Sequence, residues 1–336
     1  MSAAPEGASD KAGPLAGLEA APLFETPEAI CPAAGQAAWV DAPDGTGKLR
    51  VAHFAADRSQ RGHVLLFVGK AEFIEKYYEV IGDLRARGFS VTCWDWRGQG
   101  LSVRPLRHRL KAHIERFDTF LDDAERIISH MTSAHSGPVI ALGHSMGGNI
   151  LLRLLARGRF VPSLAVLSAP MTGILLRGVP DIAVKALLFA ARQTDRLTAF
   201  LPGGEGYDPV TEPFDGNPVT HDPRRFAHTQ ALLKAHPELG QGAATFGWLA
   251  EARQSIRVLM APKALSQVAC PVLVLSAAED KLVDPASHRV LADRLPKAEY
   301  FSFTDAAHEL FSERDGIRQK VWVRIDRFLA DHLQKL

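Results

Sequence analysis

Gly143-His144-Ser145-Met146-Gly147 sets a serine two residues from a glycine on each side, directly after the apolar run PVIAL and directly before the helical run GNILLRLLARG. Strand, G-x-S-x-G and helix in succession make a nucleophile elbow, a turn so tight that side chains two residues either side of the serine would collide with neighbouring backbone. Gly148 extends the clearance. A serine hydroxyl is a weak nucleophile at neutral pH, so it needs a histidine to take its proton and a carboxylate to orient that histidine. His144 is nearest in sequence, but the elbow directs it away from the serine, and packing or a nearby hydrogen bond is its expected use.

Around such an elbow the chain order is serine, acid, histidine, which restricts the base to His288, His308 or His332. His288 lies inside the helical pattern PASHRVLADRL and His332 near the chain end, whereas His308 falls in the loop after the strand EYFSF. His308 is therefore the expected base. The acid should follow the strand PVLVLS, where Glu279, Asp280 and Asp284 compete. Asp284 precedes Pro285 and a helix, so it reads as an N-cap with proline at N1. Glu279 has the longer side chain, and Asp280 has no other evident use, so Asp280 is the expected acid. The tetrahedral intermediate needs two backbone N–H donors. One is expected from Met146, the residue after the serine, and the other from the Lys70 amide in the loop Gly69-Lys70-Ala71-Glu72. That chemistry calls for no metal and no cofactor.

The elements that must carry these residues follow from composition and pattern. The chain has 336 residues, 46% of them hydrophobic and 23% charged, which excludes disorder of the whole chain. A net charge of +1 gives no field to gather nucleic acid. Cys31, Cys93 and Cys270 are too widely spaced for a disulfide framework or a CxxC metal site. No run reaches the roughly 18 apolar residues of a membrane span, and the N-terminus lacks the basic and apolar regions of a signal peptide. A cytoplasmic location is the expectation, with peripheral contact at the inner membrane face as a variant.

Residues 1–30, rich in Ala, Pro, Glu and Gly without period, are expected to be a flexible leader. AAWV and LRVAHFAA flank the turn Pro43-Asp44-Gly45-Thr46-Gly47 and suit an antiparallel hairpin. Short apolar runs then alternate with helical stretches: His63–Val68, Phe89–Trp94, Pro138–Leu142, Leu164–Ser168, Pro271–Ser276 and Glu299–Phe303. Such runs are the strands of a parallel sheet covered on both faces, an α/β fold. The alternation stops between Met171 and about Arg253, which reads as an inserted segment holding the Gly/Pro-rich stretch LPGGEGYDPVTEPFDGNP.

Several blocks together resemble the α/β-hydrolase fold and, within it, the lysophospholipase L2 and monoacylglycerol lipase-like branch. They are GKAEFIEKYYEV at 69–80, DWRGQGLS at 95–102, HIERFDTFLDD at 113–123, GHSMGG at 143–148, SAPM at 168–171, NPVTHDPRRF at 217–226, AEDKLVD at 278–284 and DAAHELFSERD at 305–315. The resemblance implies a mostly parallel central sheet flanked by helices, with core segments 31–170 and 254–336 and a helical cap at 171–253. It places Ser145, Asp280 and His308 on the triad positions and Lys70 and Met146 on the oxyanion positions. Arg97 falls on a loop that braces the elbow.

The expected activity is hydrolysis of a carboxylic ester of a single-acyl lipid through an acyl-serine intermediate. The alternatives are an esterase or thioesterase acting on small soluble esters, and a silent module that holds a hydrophobic ligand. In the cap, the helical run Asp181–Ala191 is apolar around most of its circumference, so it is either buried or presented to lipid. Leu187, Phe189 and Trp248 are candidate acyl contacts, and Phe200, Phe214, Phe226 and Phe246 could line the same pocket or simply fill the cap. Arg104, Arg107, His108, Arg109 and Lys111 form a basic cluster, either a solvated face or an attraction for a lipid phosphate or an anionic bilayer. Oligomeric state is not legible.

Overall fold

The computed structural model describes residues 13–333 apart from 134, 136, 177 and 206. Eight strands form one sheet: β1 (Gly35–Asp41), β2 (Lys48–Phe54), β3 (Gly62–Phe67), β4 (Phe89–Trp94), β5 (Val139–His144), β6 (Leu164–Ser168), β7 (Val272–Ala277) and β8 (Ala298–Phe303), in spatial order β1-β2-β4-β3-β5-β6-β7-β8. β2 is antiparallel to both its neighbours, and every other pairing is parallel. β3, β4 and β7 are buried along their whole length, as continuous apolar runs must be when helices cover both faces. The hairpin and the six later strands lie where the sequence pattern puts them, within a residue or two.

Helices fill the connections: α1 (Tyr78–Ala86), α2 (Asp118–Thr132), α3 (Ser145–Ala156), α7 (Pro285–Arg294) and α8 (Asp315–Leu333). Between β6 and β7 come α4 (Asp181–Gln193), α5 (Pro223–Ala235) and α6 (Phe246–Leu259). Their starts are encoded locally. Asp222 accepts from the Arg224 and Arg225 amides ahead of α5, with Pro223 in the first turn, and the Thr245 hydroxyl accepts from Trp248 N ahead of α6. The expected cap boundary at 253 falls inside α6, so the inserted segment does not end there.

The expected leader needs correction. Residues 1–12 lie outside the described residues, but 13–30 are packed: Leu15 and Ala29 are buried, Ala20 bridges Ala38 of β1, and the Phe24 ring stacks on His236 at 3.9 Å. Edge strand β1 offers unpaired backbone to this segment, a partner that composition cannot reveal.

A buried ionic cluster joins that segment to the core. Arg50 of β2 donates to Asp95 Oδ2 at 2.7 Å, to both oxygens of Glu75 at 2.7 Å, and to Pro22 O at 3.0 Å, and Arg50, Glu75 and Asp95 all have fully buried side chains or nearly so. Asp95 also accepts from the amides of Ile74 and Leu101. Arg50→Met leaves two carboxylates buried without their counter-ion and is expected to cost about 3–5 kcal/mol of folding free energy, read from the denaturant midpoint. A loss under about 1 kcal/mol would show that water enters the cluster and the charges are not desolvated.

Candidate active site

The elbow forms because β5 runs directly into α3, with Ser145 at the junction in the left-handed region, φ +50°. That conformation is costly for a residue with a Cβ and persists only where the surroundings enforce it. The surroundings here are mostly backbone. A Cβ on Gly147 would meet Phe67 O at 2.2 Å and Val68 O at 2.5 Å, one on Gly143 would meet Gly148 Cα at 2.9 Å, and one on Gly148 would meet Pro170 Cβ at 2.9 Å. The glycines let α3 approach the end of β3 closely enough to present the serine.

Ser145, Asp280 and His308, assigned from sequence to nucleophile, acid and base, come together at the C-terminal ends of β5, β7 and β8. Ser145 Oγ lies 2.9 Å from His308 Nε2, and His308 Nδ1 lies 2.5 Å from Asp280 Oδ2. Asp280 Oδ1 accepts from the amides of Leu282 and Val283 at 2.8 and 2.9 Å. Burial works against the Asp280 charge, but the His308 contact and the two amides outweigh it and hold the carboxyl below its ordinary range. The competitors are otherwise engaged. Asp284 caps α7 through Ala286 N, and Glu279 is exposed. His288 uses both ring nitrogens, on Ser276 Oγ and Pro170 O, and His332 faces Glu299 at the surface. His144 contacts Ser168 O through Nδ1 and packs its ring 4.8 Å from that of His308.

The two amides assigned to the oxyanion site are both open. Met146 N is in the first turn of α3, where backbone donors have no intrahelical partner. On the loop after β3, Gly69 N donates to Glu72 Oε2 and Ala71 N to Gln99 Oε1, while the Lys70 amide between them has no protein acceptor among the described residues.

Sequence reasoning missed the residues that hold this loop. Gln99 donates to Gly69 O and Glu72 O at 2.9 and 3.0 Å. Buried Glu72 accepts from Tyr77 Oη at 2.5 Å and Lys76 Nζ at 2.9 Å. Burial opposes its charge, yet Lys76, His144 and Tyr77 together hold the carboxyl down at about 2. Lys76 also reaches Glu309 at 2.5 Å, which ties the Lys70 loop to the residue after His308. Gln99, Lys76 and Glu309 sit in blocks that carried the family resemblance, but nothing local marks them as partners. Arg97 forks onto Asp123 of α2 with two 2.7 Å contacts and reaches Asp44 in the first hairpin turn, which anchors its own loop there.

A cavity of about 580 Å³ opens on Ser145 and His308. Ile174, Leu201, Phe226, Leu233 and Trp248 give it apolar walls, and the Lys70 side chain enters it beside Trp248, with Nζ 5.5 Å from the ring centroid. Of the expected acyl contacts, Trp248 lines the cavity and Leu187 and Phe189 do not. α4 buries Val184 and Ala191, which leaves Leu187 41% and Phe189 65% exposed. Phe189 lines a groove between α4 and α6 that includes none of Ser145, His308 or Lys70. A helix apolar all round gives no sign of which stripe will pack, so its register was not legible. Phe200, Phe214 and Phe246 are likewise outside the cavity lining.

Two members of the basic cluster, Arg104 and Arg109, are spent on backbone carbonyls. Arg104 donates to the carbonyls of Gly98, Gly100 and Gly240, and Arg109 donates to Gly240 O at 2.8 Å. Burial, with the charge of Arg109, pushes Arg104 down to about 10. The pair clamps the 98–110 loop to the segment after α5, leaving Arg107 and His108 exposed.

A family model described as serine aminopeptidase, S33, matches residues 58–315. A probable lysophospholipase L2 of Haemophilus influenzae is 29% identical over 285 residues, 84% of this chain and 88% of the relative. A monoacylglycerol lipase of Mycolicibacterium smegmatis is 28% identical over 294 residues, 86% and 96% of the two chains. Among solved structures, a soluble variant of monoglyceride lipase from Saccharomyces cerevisiae in complex with a substrate analog aligns with a TM-score of 0.70 at 19% identity, over 85% of this chain and 92% of that one. A carboxyl esterase from Bacillus coagulans aligns with a TM-score of 0.72 at 16% identity, over 90% and 100%.

The elbow's clearance gives a direct test. Gly147→Ala forces backbone to move, since both atoms its Cβ would meet are carbonyl oxygens, and the expected cost is about 1–3 kcal/mol of stability together with loss of turnover on p-nitrophenyl esters. A variant with wild-type melting temperature and turnover would mean that the close approach of α3 to β3 is dispensable.

Proposed function

The chain belongs to the serine aminopeptidase S33 family, and on that footing we propose that it hydrolyses the carboxylic ester of a single-acyl lipid, a lysophospholipid or a monoacylglycerol. As a lipase- and esterase-like serine hydrolase it works through an acyl-serine. Ser145 Oγ attacks the ester carbonyl while His308 Nε2 takes its proton, and Asp280 stabilises the imidazolium through Nδ1–H. The amides of Lys70 and Met146 donate to the oxyanion. His308 then protonates the departing alcohol, and water repeats the sequence to release the fatty acid. The segment between β6 and β7 acts as a cap whose Leu201, Phe226 and Trp248 shelter the acyl chain.

The observation that carries this reading is the apolar-walled cavity that opens on Ser145 and His308 of the Ser145–His308–Asp280 relay. One further feature favours an anionic head group. Lys70 is the cation of the cavity wall with no carboxylate in contact among the described residues, and its Nζ reaches only Gly242 O at 3.5 Å. Lys76 and Arg225, the other cations there, are paired. The head-group role expected of the basic cluster passes to the Lys70 side chain.

Ser145→Ala is expected to fold normally, to lose fluorophosphonate labelling and to lose several orders of magnitude in ester turnover. Retention of about a tenth of wild-type turnover by the folded variant would remove Ser145 from the role. Across p-nitrophenyl esters of increasing chain length, kcat/KM should rise from acetate to long acyl groups. A preference for acetate would favour the small-ester reading.

The head group is tested separately. Lys70→Gln keeps the amide and removes the charge, so KM for lysophosphatidylcholine should rise about tenfold, the equivalent of one charge-assisted hydrogen bond, with monoacylglycerol kinetics unchanged. Burial pushes the Lys70 ammonium down to about 8, although Glu212 opposes the shift. The ammonium is charged below that pH and neutral above it, so KM for lysophospholipid alone should climb as pH rises through 8. Equal effects on both lipids would make Lys70 a packing residue.

A further inference from the structure

His53, His63 and His135 take no part in the hydrolytic site, yet one ring nitrogen of each lies within 4.8 Å of one from each of the others. The strand register explains two of them. His53 of β2 pairs with Thr92 of β4, and His63 of β3 pairs with Ser90 two residues earlier on β4. Side chains alternate faces along a strand, so these four share one face of the sheet. His135 reaches that face from the connection after α2 and stacks on His63, with ring centroids 4.0 Å apart. The His53 ring centroid lies 5.6 Å from that of His63 and 5.8 Å from that of His135.

Every Nδ1 in the cluster is held. His63 Nδ1 lies 2.8 Å from Ser90 Oγ, His53 Nδ1 lies 3.3 Å from Thr92 Oγ1, and His135 Nδ1 lies 3.3 Å from the Gln60 amide. By contrast, His63 Nε2 and His135 Nε2 are buried with no hydrogen-bond partner. Buried polar atoms are almost always satisfied, and two orphans in one cluster indicate a group that is not protein. An imidazole that donates from Nδ1 to an oxygen presents a bare Nε2 lone pair, which is how proteins orient histidines for a metal. The Gln60 amide, which also lies 2.9 Å from Ser90 Oγ, fits once its oxygen and nitrogen are exchanged. Oε1 then accepts from His135 Nδ1–H and from the Ser90 hydroxyl, while Ser90 Oγ accepts from His63 Nδ1–H.

We propose that His53, His63 and His135 bind one borderline divalent transition-metal ion, Zn²⁺ or a close substitute, through their Nε2 atoms with water as the fourth ligand. Neutral imidazole nitrogens suit Zn, Ni and Cu rather than Mg or Ca. A tetrahedral zinc with bonds of ~2.0–2.1 Å sets its nitrogens ~3.4 Å apart, closer than the present spread, and the ion must lie near the plane of each ring. His135 therefore turns out of its stack on binding. It can, because it is half-buried on a connection, whereas His53 and His63 are fixed by strands. The site lies toward the N-terminal end of β3, and the opposite end, Phe67, pairs with Gly143 of the elbow. The ion thus staples β2 and β3 to the turn after α2 and takes no part in ester hydrolysis.

The test uses full-length, tag-free protein stripped with EDTA and titrated with Co²⁺, then Zn²⁺. One equivalent of Co²⁺ should bind with the visible d–d bands of a low-coordinate nitrogen site, and Zn²⁺ should displace it. Zn²⁺ should also raise the thermal midpoint and leave p-nitrophenyl ester turnover unchanged. His135→Ala, a change on the half-buried connection, should retain turnover and weaken binding about tenfold or more, and Ser90→Ala, which frees His63 Nδ1, should weaken it about tenfold. Absence of stoichiometric Co²⁺ binding at large metal excess overturns the proposal. So does binding that persists undiminished in folded His135→Ala, the more so if turnover is inhibited, because the ion then sits on His308 and Asp280.

Discussion

Ser145 is held at φ +50° between a strand and a helix that approach within contact distance of each other's backbone, and the rest of the site is arranged around that strain. A left-handed serine is unfavourable on its own. It is maintained because β5 is a central strand, paired on both sides by β3 and β6, and because α3, almost entirely buried, is packed too firmly to relax it. The reward is geometric: the hydroxyl leaves the sheet in a direction where only loops from other strands can meet it. Asp280, His308 and Lys70 arrive on such loops, each from the C-terminal end of a parallel strand, where open α/β sheets gather their ligands.

Loops alone would not hold hydrogen bonds of 2.5 and 2.9 Å. The structure fixes them with buried charge. Lys76 joins Glu72, on the loop that presents the Lys70 amide, to Glu309, beside His308, so one ammonium sets the relative position of two loops that are more than two hundred residues apart in sequence. Glu313 adds a second tether, its Oε1 accepting from Ala307 N and His221 N. Arg50, with Glu75 and Asp95, does the same for the segment before β1, β2 and the loop after β4. Buried ion pairs of this kind contribute little net stability compared with apolar packing, but breaking one is costly. They are suited to fixing geometry.

Between β6 and β7 the chain is ruled by different physics. α4 meets the rest through Val184 and Ala191 and by Asp181 contacting Arg253, while Ile182 and Phe189 stay largely exposed. α5 and α6 instead turn Phe226, Leu233 and Trp248 toward Ser145. Arg104 and Arg109 clamp this segment to the core through carbonyl oxygens, a use of arginine that requires buried carbonyls and no anion. Most of the cavity's apolar walls arise from this second layer of contacts, whereas Lys70 enters from the loop after β3.

What the sequence determined by itself was local. G-x-S-x-G between an apolar run and a helical one specifies an elbow, because the steric demand falls within five residues. Asp284 was separable from Asp280 because an N-cap before Pro285 is a property of adjacent residues, and the strands were readable as continuous apolar runs. Chain order then narrowed the histidines to three, and a place in the loop after an apolar strand singled out His308. Tertiary structure alone decided everything that depends on which distant segments become neighbours. The same arginines could be solvated or carbonyl-bound, and only the approach of Gly240 made Arg104 and Arg109 a clamp. An α4 that is apolar around most of its circumference has no preferred stripe until packing buries Val184 and Ala191. Residues 13–30 gain structure from an edge strand. His53 and His63 share a face only because β2 and β3 register them against Thr92 and Ser90 of the intervening β4, a consequence of sheet order that no spacing along the chain encodes.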